Sequence, residues 1–278
     1  MGNKDVNGAR VSVILPTYNR AWTLKEAVDS VLNQDYPHIE LIVIDDGSTD
    51  NTQDLLAVYR DRIRVLTQAN KGVSAARNAG IRTSRGSLIA LLDSDDAWDR
   101  RKISCQVEFF QAHPGAMICQ TEEIWIRNGK RVNPKKRHQK PSGMIFEASL
   151  HLCLVSPSAV MMRKDLFDRI GYFNEDFTVC EDYDLWLRVS AVLPVFRIDK
   201  PYTVKRGGHT DQLSGLHSQD KFRIRSLSAI IESGGLTRDQ AAEARKVLKD
   251  KCRVYGNGCM KRGKKEEGEY YLNLCRIL

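Results

Sequence analysis

The sequence predicts a doubly wound, mostly parallel α/β sheet with a small helical extension at its C-terminal end. In the first hundred residues, short apolar runs alternate with segments of helical period: strand, helix, strand, helix, strand, helix, strand. Three of those strands end in conspicuous polar tetrads: Pro16-Thr17-Tyr18-Asn19, Asp45-Asp46-Gly47-Ser48 and Asp93-Ser94-Asp95-Asp96. Open α/β sheets bind ligands outside the carboxyl ends of their strands, which is where these tetrads fall.

Residues 1–9 are polar and are expected to be frayed. Val11-Ser12-Val13-Ile14-Leu15 reads as a strand ended by Pro16. Trp22, Leu24, Ala27, Val28, Val31 and Leu32 then recur at the spacing of one buried helix face. Leu41-Ile42-Val43-Ile44 is the next strand, and Ser48 or Asp50 caps a helix through Leu55, Leu56 and Tyr59. Ile63 to Leu66 gives a third strand, Gly72 to Thr83 a helix, and Leu88 to Leu92 a strand with the unbroken apolar run of a buried parallel sheet. After the helix through Phe109 and Phe110 the pattern is less regular. Met117-Ile118-Cys119 and Ile124-Trp125-Ile126 read as two strands flanking a turn, Ser158 to Met162 as another, and Glu181 to Val192 as a helix with Leu185, Trp186 and Val189 on one face. From about Ser218 the chain is helical and charged. Tyr255 to Leu272 faintly resembles a tetratricopeptide helix pair, which must pack on the main domain or on another copy because one unit cannot bury its own face.

Composition narrows the function classes. No apolar stretch approaches the length of a membrane span, and the first residues lack the pattern of a signal peptide, so a cytoplasmic location is expected. Seven scattered cysteines form no CxxC pair, which argues against a zinc site or a disulfide framework. The net charge of +8 is local: Arg127, Lys130, Arg131, Lys135, Lys136, Arg137 and Lys140 lie together without an acid, in a stretch that Asn128-Gly129, Pro134 and Pro141 mark as a loop. A solvated loop, a clamp for an anionic substrate or lipid headgroup, and a nucleic-acid contact all fit. No aromatic residue interleaves the cations, which disfavours the last.

The polar motifs each admit a chemical and a plain reading. Crowded carboxylates in Asp93-Ser94-Asp95-Asp96 repel one another unless a cation or donors balance them, so a hard divalent metal on substrate phosphates competes with an acidic turn capping the helix near Trp98. An extended stretch would put Asp93 and Asp95 on the same side. Tyr18 can lie against a nucleobase, with Pro16 stiffening the approach, or be a half-buried aromatic at a sheet edge. Asp46 can accept from a uracil-like imide or simply form a turn with Gly47. Gly72 to Asn78 opens a helix whose N-terminus suits a phosphate, with Arg77 one turn in and able to reach the nucleotide; close packing through Gly72 and Ala75 explains the same residues. Glu181-Asp182 starts a helix, where acids also serve as caps. His209 follows Gly207-Gly208, a pair flexible enough for a closing lid.

Five motifs in order resemble family 2 glycosyltransferases: Val11 to Arg20, Ile44 to Asp50, Gly72 to Asn78, Asp93 to Asp96, and Glu181 to Trp186. The resemblance covers residues 10–215, followed by the helical extension 216–278. It implies a GT-A fold, a nucleotide-diphosphate-sugar donor (UDP-linked by expectation), Mg²⁺ or Mn²⁺, and inversion at the anomeric carbon. It further implies that Pro16, Tyr18, Asp46, Arg77 and Asp93 hold the nucleotide, that Asp95, Asp96 and His209 serve the metal, and that Asp182 is the general base. The acceptor would be a glycan or a lipid-linked one, with the basic loop as a peripheral membrane contact and the helical tail as a route to a homo-oligomer. Two rivals stay open. A sugar nucleotidyltransferase should carry a Gly-rich basic loop after the first strand, where this chain has Pro16-Thr17-Tyr18-Asn19-Arg20. A non-catalytic nucleotide-sugar-binding scaffold should lack Asp95 or Asp182, and both are present.

Overall fold

The computed structural model describes residues 8–133, 135, 138–209, 212 and 219–277. The first half is the expected alternation: β1 (Val11–Thr17), α1 (Ala21–Leu32), β2 (Ile39–Asp45), α2 (Thr52–Ala57), β3 (Arg64–Thr67), α3 (Val73–Thr83) and β4 (Leu88–Leu91). β5 (Ala97–Trp98), α4 (Lys102–Ala112), β6 (Ile118–Arg127), β7 (Lys130–Val132) and α5 (Phe146–His151) follow. A 3-10 turn at Pro157–Ala159 then leads to β8 (Val160–Arg163), α6 (Leu166–Ile170), α7 (Glu181–Val192) and β9 (Phe196–Gly207). The chain closes with α8 (Gln219–Glu232), α9 (Arg238–Lys261) and α10 (Lys265–Ile277).

The strands form one sheet in the order β3-β2-β1-β4-β8-β6-β9-β5, with β7 paired to β6. β3, β2, β1 and β4 are parallel; β8 runs antiparallel to β4 and to β6, while β9 is parallel to β6. Side chains of a strand alternate between faces, and so does the core. Val11, Val13 and Leu15 share a cluster with Leu24, Val28 and Val31 of α1 and Phe110 of α4, whereas Ile14, Ile42 and Ile44 pack with Ala76 and Ile81 of α3 and Leu185 and Trp186 of α7. α3 approaches unusually closely. A Cβ on Gly80 would stand 2.5 Å from Ile14 Cγ2 and 2.7 Å from Ile44 Cδ1. Close packing thus falls to Gly80 rather than to Gly72, whose added Cβ would meet nothing within 4 Å.

β1 continues through Pro16 to Thr17. Its even-numbered residues turn toward β4, as the bond from Leu92 N–H to the Ile14 carbonyl shows, and the β1–β4 pairing has ended by Ile14. The N–H that proline lacks is therefore one the sheet does not need.

Four expectations change. Trp22 is 61% exposed rather than buried on α1; it stands at the N-terminal end of the helix and meets the His209 ring edge-on at 5.4 Å. The two short strands around residue 120 are one continuous β6. Its polar centre is buried, with Gln120 Nε2 donating to the Leu154 carbonyl and the Thr121 hydroxyl paired with that of Thr203, and register shifts between Thr121 and Glu123 accommodate it against β9. The basic loop begins as a hairpin: Asn128 and Gly129 have φ of 50° and 74°, and β6 pairs with β7 across them. Two positive φ values with Asn-Gly make the turn that best matches the twist of a hairpin. Lys140 does not belong with the exposed cations. It is buried, ion-paired with Glu123 at 3.1 Å and bonded to the Thr121 carbonyl. Pro134, Lys136 and Arg137 lie outside the described residues.

Ala9 is already part of the fold, buried and accepting from the Tyr36 hydroxyl. At the other end, the charged helices pack on the main domain. Ile224, Leu227, Leu248 and Tyr255 join Phe146 and Leu150 of α5 and Tyr183 and Leu187 of α7 in one cluster. α9 and α10 approach through Gly256 and Gly268, each of whose added Cβ would lie within about 3.1 Å of the other's carbonyl oxygen.

Candidate active site

The carboxyl ends of β1, β2 and β4, the start of α7 and the end of β9 enclose a cavity of about 780 Å³. Pro16, Tyr18, Asp46, Arg77, Asp93, Asp95, Asp96 and Asp182 all line it, although they come from five separate stretches of chain. Tyr18 is 45% exposed at its mouth.

The acid pair after β2 divides its work. Asp45 is fully buried and turned back into its own loop, accepting from Ser48 N–H at 2.9 Å and from the Gln53 amide. Asp46 accepts from Gln68 Nε2 at 2.7 Å, Lys71 N–H at 3.0 Å and Gly72 N–H at 2.8 Å. Three of about four acceptor positions on that carboxylate are thus spent on the loop before α3. Gly72, at φ 88°, supplies the left-handed conformation that aims its N–H there. Asn19, itself at φ 51°, latches the opposite loop by accepting from Thr49 N–H at 2.8 Å.

Arg77 is not a free cation for phosphate. Its guanidinium, 3% exposed, bridges Asp93 and Glu181 at 2.7 Å each and lies 5.1 Å from the Phe173 ring centre. Burial opposes its charge, but the two carboxylates outweigh burial and raise its pKa. Glu181 pairs with this guanidinium; burial, reinforced by the Asp182 charge, outweighs the Arg77 charge and pushes its pKa up.

The Asp93 to Asp96 tetrad is a turn, closed by Asp96 N–H on the Asp93 carbonyl, rather than an extended stretch. Its three acids consequently fan out. Asp93 goes to Arg77. Asp95 meets His209 Nε2 at 2.8 Å, and its pKa is raised, by burial first and by the Asp93 charge second. Asp96 turns inward, accepting from the Ser158 hydroxyl at 2.6 Å and from Arg206 N–H at 2.8 Å. Both of its oxygens are engaged by the fold, which sets it apart from Asp95 as a metal ligand. Among the described residues no three His, Cys, Asp or Glu side chains converge as a metal cage. The Asp95–His209 pair still suits a hard cation that takes its remaining ligands from a substrate diphosphate, as Mg²⁺ sites commonly do. Thr210, Asp211, Leu213 and Ser214, which follow His209 in the expected lid, lie outside the described residues.

Asp182 stands in the first turn of α7, behind Cys180 at φ 60°, a left-handed conformation that costs a non-glycine residue energy. Its Oδ2 accepts from the Cys153 thiol at 3.4 Å. Burial, then the Asp182 charge, lifts the Cys153 pKa well above the ordinary thiol value, so the sulfur keeps its one proton, for which the Val155 carbonyl, also at 3.4 Å, competes with Asp182.

Residues 12–171 match Glycosyl transferase family 2. The chain belongs to that family. Relatives include the Escherichia coli "UDP-Glc:alpha-D-GlcNAc-diphosphoundecaprenol beta-1,3-glucosyltransferase WfaP", 33% identical over 64% of this chain and 69% of that protein. Another is the putative teichuronic acid biosynthesis glycosyltransferase TuaG of Bacillus subtilis, 32% identical over 64% of this chain and 70% of TuaG. The chain spans about a third of the length of two uncharacterized glycosyltransferases, from Rickettsia felis and Rickettsia conorii, that it matches at 31% and 32% identity. The fold is that of S. aureus TarS 1-349 in complex with UDP-GlcNAc: TM-score 0.76 and 22% identity, over 95% of this chain and 79% of that one. The mannosyltransferase PcManGT from Pyrobaculum calidifontis, solved with GDP-Man and Mn2+, aligns at TM-score 0.58 and 17% identity over 97% of this chain and 86% of its own. The GT-A expectation is met: a mostly parallel mixed sheet followed by C-terminal helices.

Two residues of this family 2 site gave no signal in the sequence. Ser158, in the 3-10 turn, pins the tetrad from behind: its oxygen accepts from Asp93 N–H and donates to Asp96, while its carbonyl accepts from Trp98 Nε1 and Thr203. Lys205, near the end of β9, also lines the cavity. The alternation of Tyr202-Thr203-Val204 could have marked β9, but nothing local ties Lys205 to the tetrad, or Ser158 to Asp93 and Asp96, which lie 65 and 62 positions away.

Proposed function

We propose that the protein is an inverting glycosyltransferase that moves a sugar from a nucleotide-diphosphate-sugar, UDP-linked, to an acceptor hydroxyl during assembly of a cell-surface glycan or glycolipid. The observation that carries this reading is the convergence of Tyr18, Asp46, Asp95 and Asp182 on one cavity at the carboxyl ends of the strands. The UDP-GlcNAc complex of TarS and the UDP-glucose activity named for WfaP support the choice of nucleotide. Tyr18 offers a ring to the base, and Asp46 keeps one acceptor position for its imide while holding the loop that forms the far wall. Asp95 and His209 would hold Mg²⁺ or Mn²⁺, which when bound supplies positive charge to the departing diphosphate. Asp93 and Arg77 set the shape of that end of the cavity.

Asp182 is the general base. It takes the proton from the acceptor hydroxyl as that oxygen attacks the anomeric carbon from the face opposite the nucleotide. A single displacement with a single base inverts configuration. The Cys153 thiol and the first turn of α7 orient the carboxylate for this step.

Among the described residues no helix is long and apolar enough to cross a membrane. The β6–β7 hairpin, with Arg127, Lys130 and Arg131 exposed, is proposed to rest on an anionic bilayer surface and so bring the site to a lipid-linked acceptor.

A thermal-shift panel of UDP- and GDP-sugars, each with and without Mn²⁺, tests the donor assignment. A ligand at about 100 times its Kd stabilises the native state by about 2.7 kcal/mol. A UDP-sugar with Mn²⁺ is expected to raise Tm by several degrees, and chelation to remove the gain. No shift with any nucleotide sugar would overturn the assignment.

A further inference from the structure

Lys205 carries a charge that the site as described so far does not use. It lines the cavity shared by Asp93, Asp95 and Asp182. Its ammonium donates to Ser156 Oγ at 3.2 Å, and among the described residues no carboxylate oxygen lies within 4.0 Å of it. An ammonium has three donors, so two are left for whatever fills the cavity. Burial works against this charge, yet the fields of Glu123, Asp96, Asp93 and Asp182 outweigh it and raise the Lys205 pKa. The lysine therefore stays charged through the neutral range.

The nearby acids already have closer partners. Glu123 is ion-paired with Lys140 at 3.1 Å and accepts from Trp125 Nε1. Asp93 is bridged by Arg77, and Asp96 is bonded to Ser158 and Arg206 N–H. Lys205 is thus a cation on the cavity that the tetrad and Asp182 also line, within the field of both and with donors to spare. That is where the bond between the sugar and its diphosphate must lie if the donor runs from the tetrad toward the base.

We propose that Lys205 donates to a β-phosphate oxygen of the donor and holds the diphosphate as it leaves. The proposal rests on the glycosyltransferase reading above. In the transfer step the acceptor oxygen forms the new bond to the anomeric carbon and its proton goes to Asp182. The bond from that carbon to the β-phosphate oxygen breaks with its electron pair, and the nucleoside diphosphate leaves with one more negative charge. Lys205 keeps its proton throughout and meets that growing charge with preorganised donors.

The test compares UDP with UMP, which lacks the β-phosphate, by calorimetry in Mn²⁺ on wild type, Lys205→Met and Lys205→Arg. Losing a hydrogen bond to a charged group should weaken UDP binding to Lys205→Met about 10- to 100-fold. UMP affinity should be unchanged, and Lys205→Arg should keep most of the UDP affinity. Equal loss for both nucleotides would make Lys205 a structural cation and overturn the proposal. So would unchanged UDP affinity combined with a raised KM for a phosphate-bearing acceptor, which would assign the contact to the acceptor. Failure of the wild type to bind UDP would instead overturn the donor reading, and this inference with it.

Discussion

Replacing Arg77 with methionine probes the charge arrangement on which the site is built. The guanidinium is 3% exposed and holds two carboxylates at 2.7 Å, Glu181 with 7% of its side chain exposed and Asp93 with 27%. Removing one partner of a buried ion pair costs about 3–5 kcal/mol, because the other is left buried and charged. Unfolding entropy scales with length and gives about 2 °C of Tm per kcal/mol for a chain of this size. Arg77→Met should therefore melt roughly 5–10 °C below wild type at pH 8. The deficit depends on pH with a definite sign. The Glu181 pKa is already raised by burial and by Asp182, and losing Arg77 raises it further. A carboxyl whose folded pKa lies above its unfolded value favours the native state below the unfolded pKa, and that contribution is lost as pH rises through the folded one. The gap between variant and wild type should accordingly be small at pH 5 and widen toward pH 8. Arg77→Lys, which keeps a charge but cannot reach both acids in one plane, should fall between. Calorimetric melts of the three proteins across that range provide the measurement. A deficit under about 2 °C at pH 8, or one larger at pH 5, would refute the claim that Arg77 neutralises buried acids.

Three further outcomes follow from the same geometry. Lys102 is fully buried, 3.9 Å from the Trp98 ring centre and bonded to Gln106, and burial lowers its pKa to about 7. The unfolded lysine keeps its proton to about 10.5, so stability should rise with pH between about 7 and 10.5; Lys102→Met should abolish that rise, and an unchanged slope would refute the assignment. Neutralising Lys130 and Arg131 to glutamine should weaken co-sedimentation with phosphatidylserine vesicles by about 30-fold, at about 1 kcal/mol for each basic residue lost, and leave UDP binding intact; equal vesicle binding would exclude the hairpin as the contact. Asp46→Asn, which turns an acceptor toward three donors into a mixed group, should lower affinity for UDP and UMP alike; a loss confined to UDP would place Asp46 at the diphosphate instead.

The first half of the sheet and α7 were legible because periodicity is local. Apolar runs of four to seven residues with turn residues between them leave few alternatives to parallel strands with crossover helices, and Glu181 to Val192 was read with its observed bounds. That the strand-end motifs gather around one cavity was legible too, since polar residues at strand ends have one place to go in a doubly wound sheet. The partners within it were not. Arg77 read as a nucleotide ligand because the sequence cannot show Glu181 arriving from 104 residues away, and Asp96 looked equivalent to Asp95 until Ser158 and the β9 backbone closed around it. Trp22 was misplaced because helical spacing gives one stripe but not where the stripe stops at a helix end. The hairpin at Asn128-Gly129 was readable from its turn chemistry, and the density of cations around it drew the reading toward a loop instead.

The assignment of Asp182 as base is the centre of the account, and one variant tests it. Asp182→Asn keeps the size and polarity of the side chain while removing its capacity to take a proton. Donor binding by calorimetry and sugar transfer to the acceptor should be measured on the same preparation. An unchanged Kd for the UDP-sugar, with transfer reduced about 10²- to 10⁴-fold, is the predicted result. Transfer at the wild-type rate would contradict it.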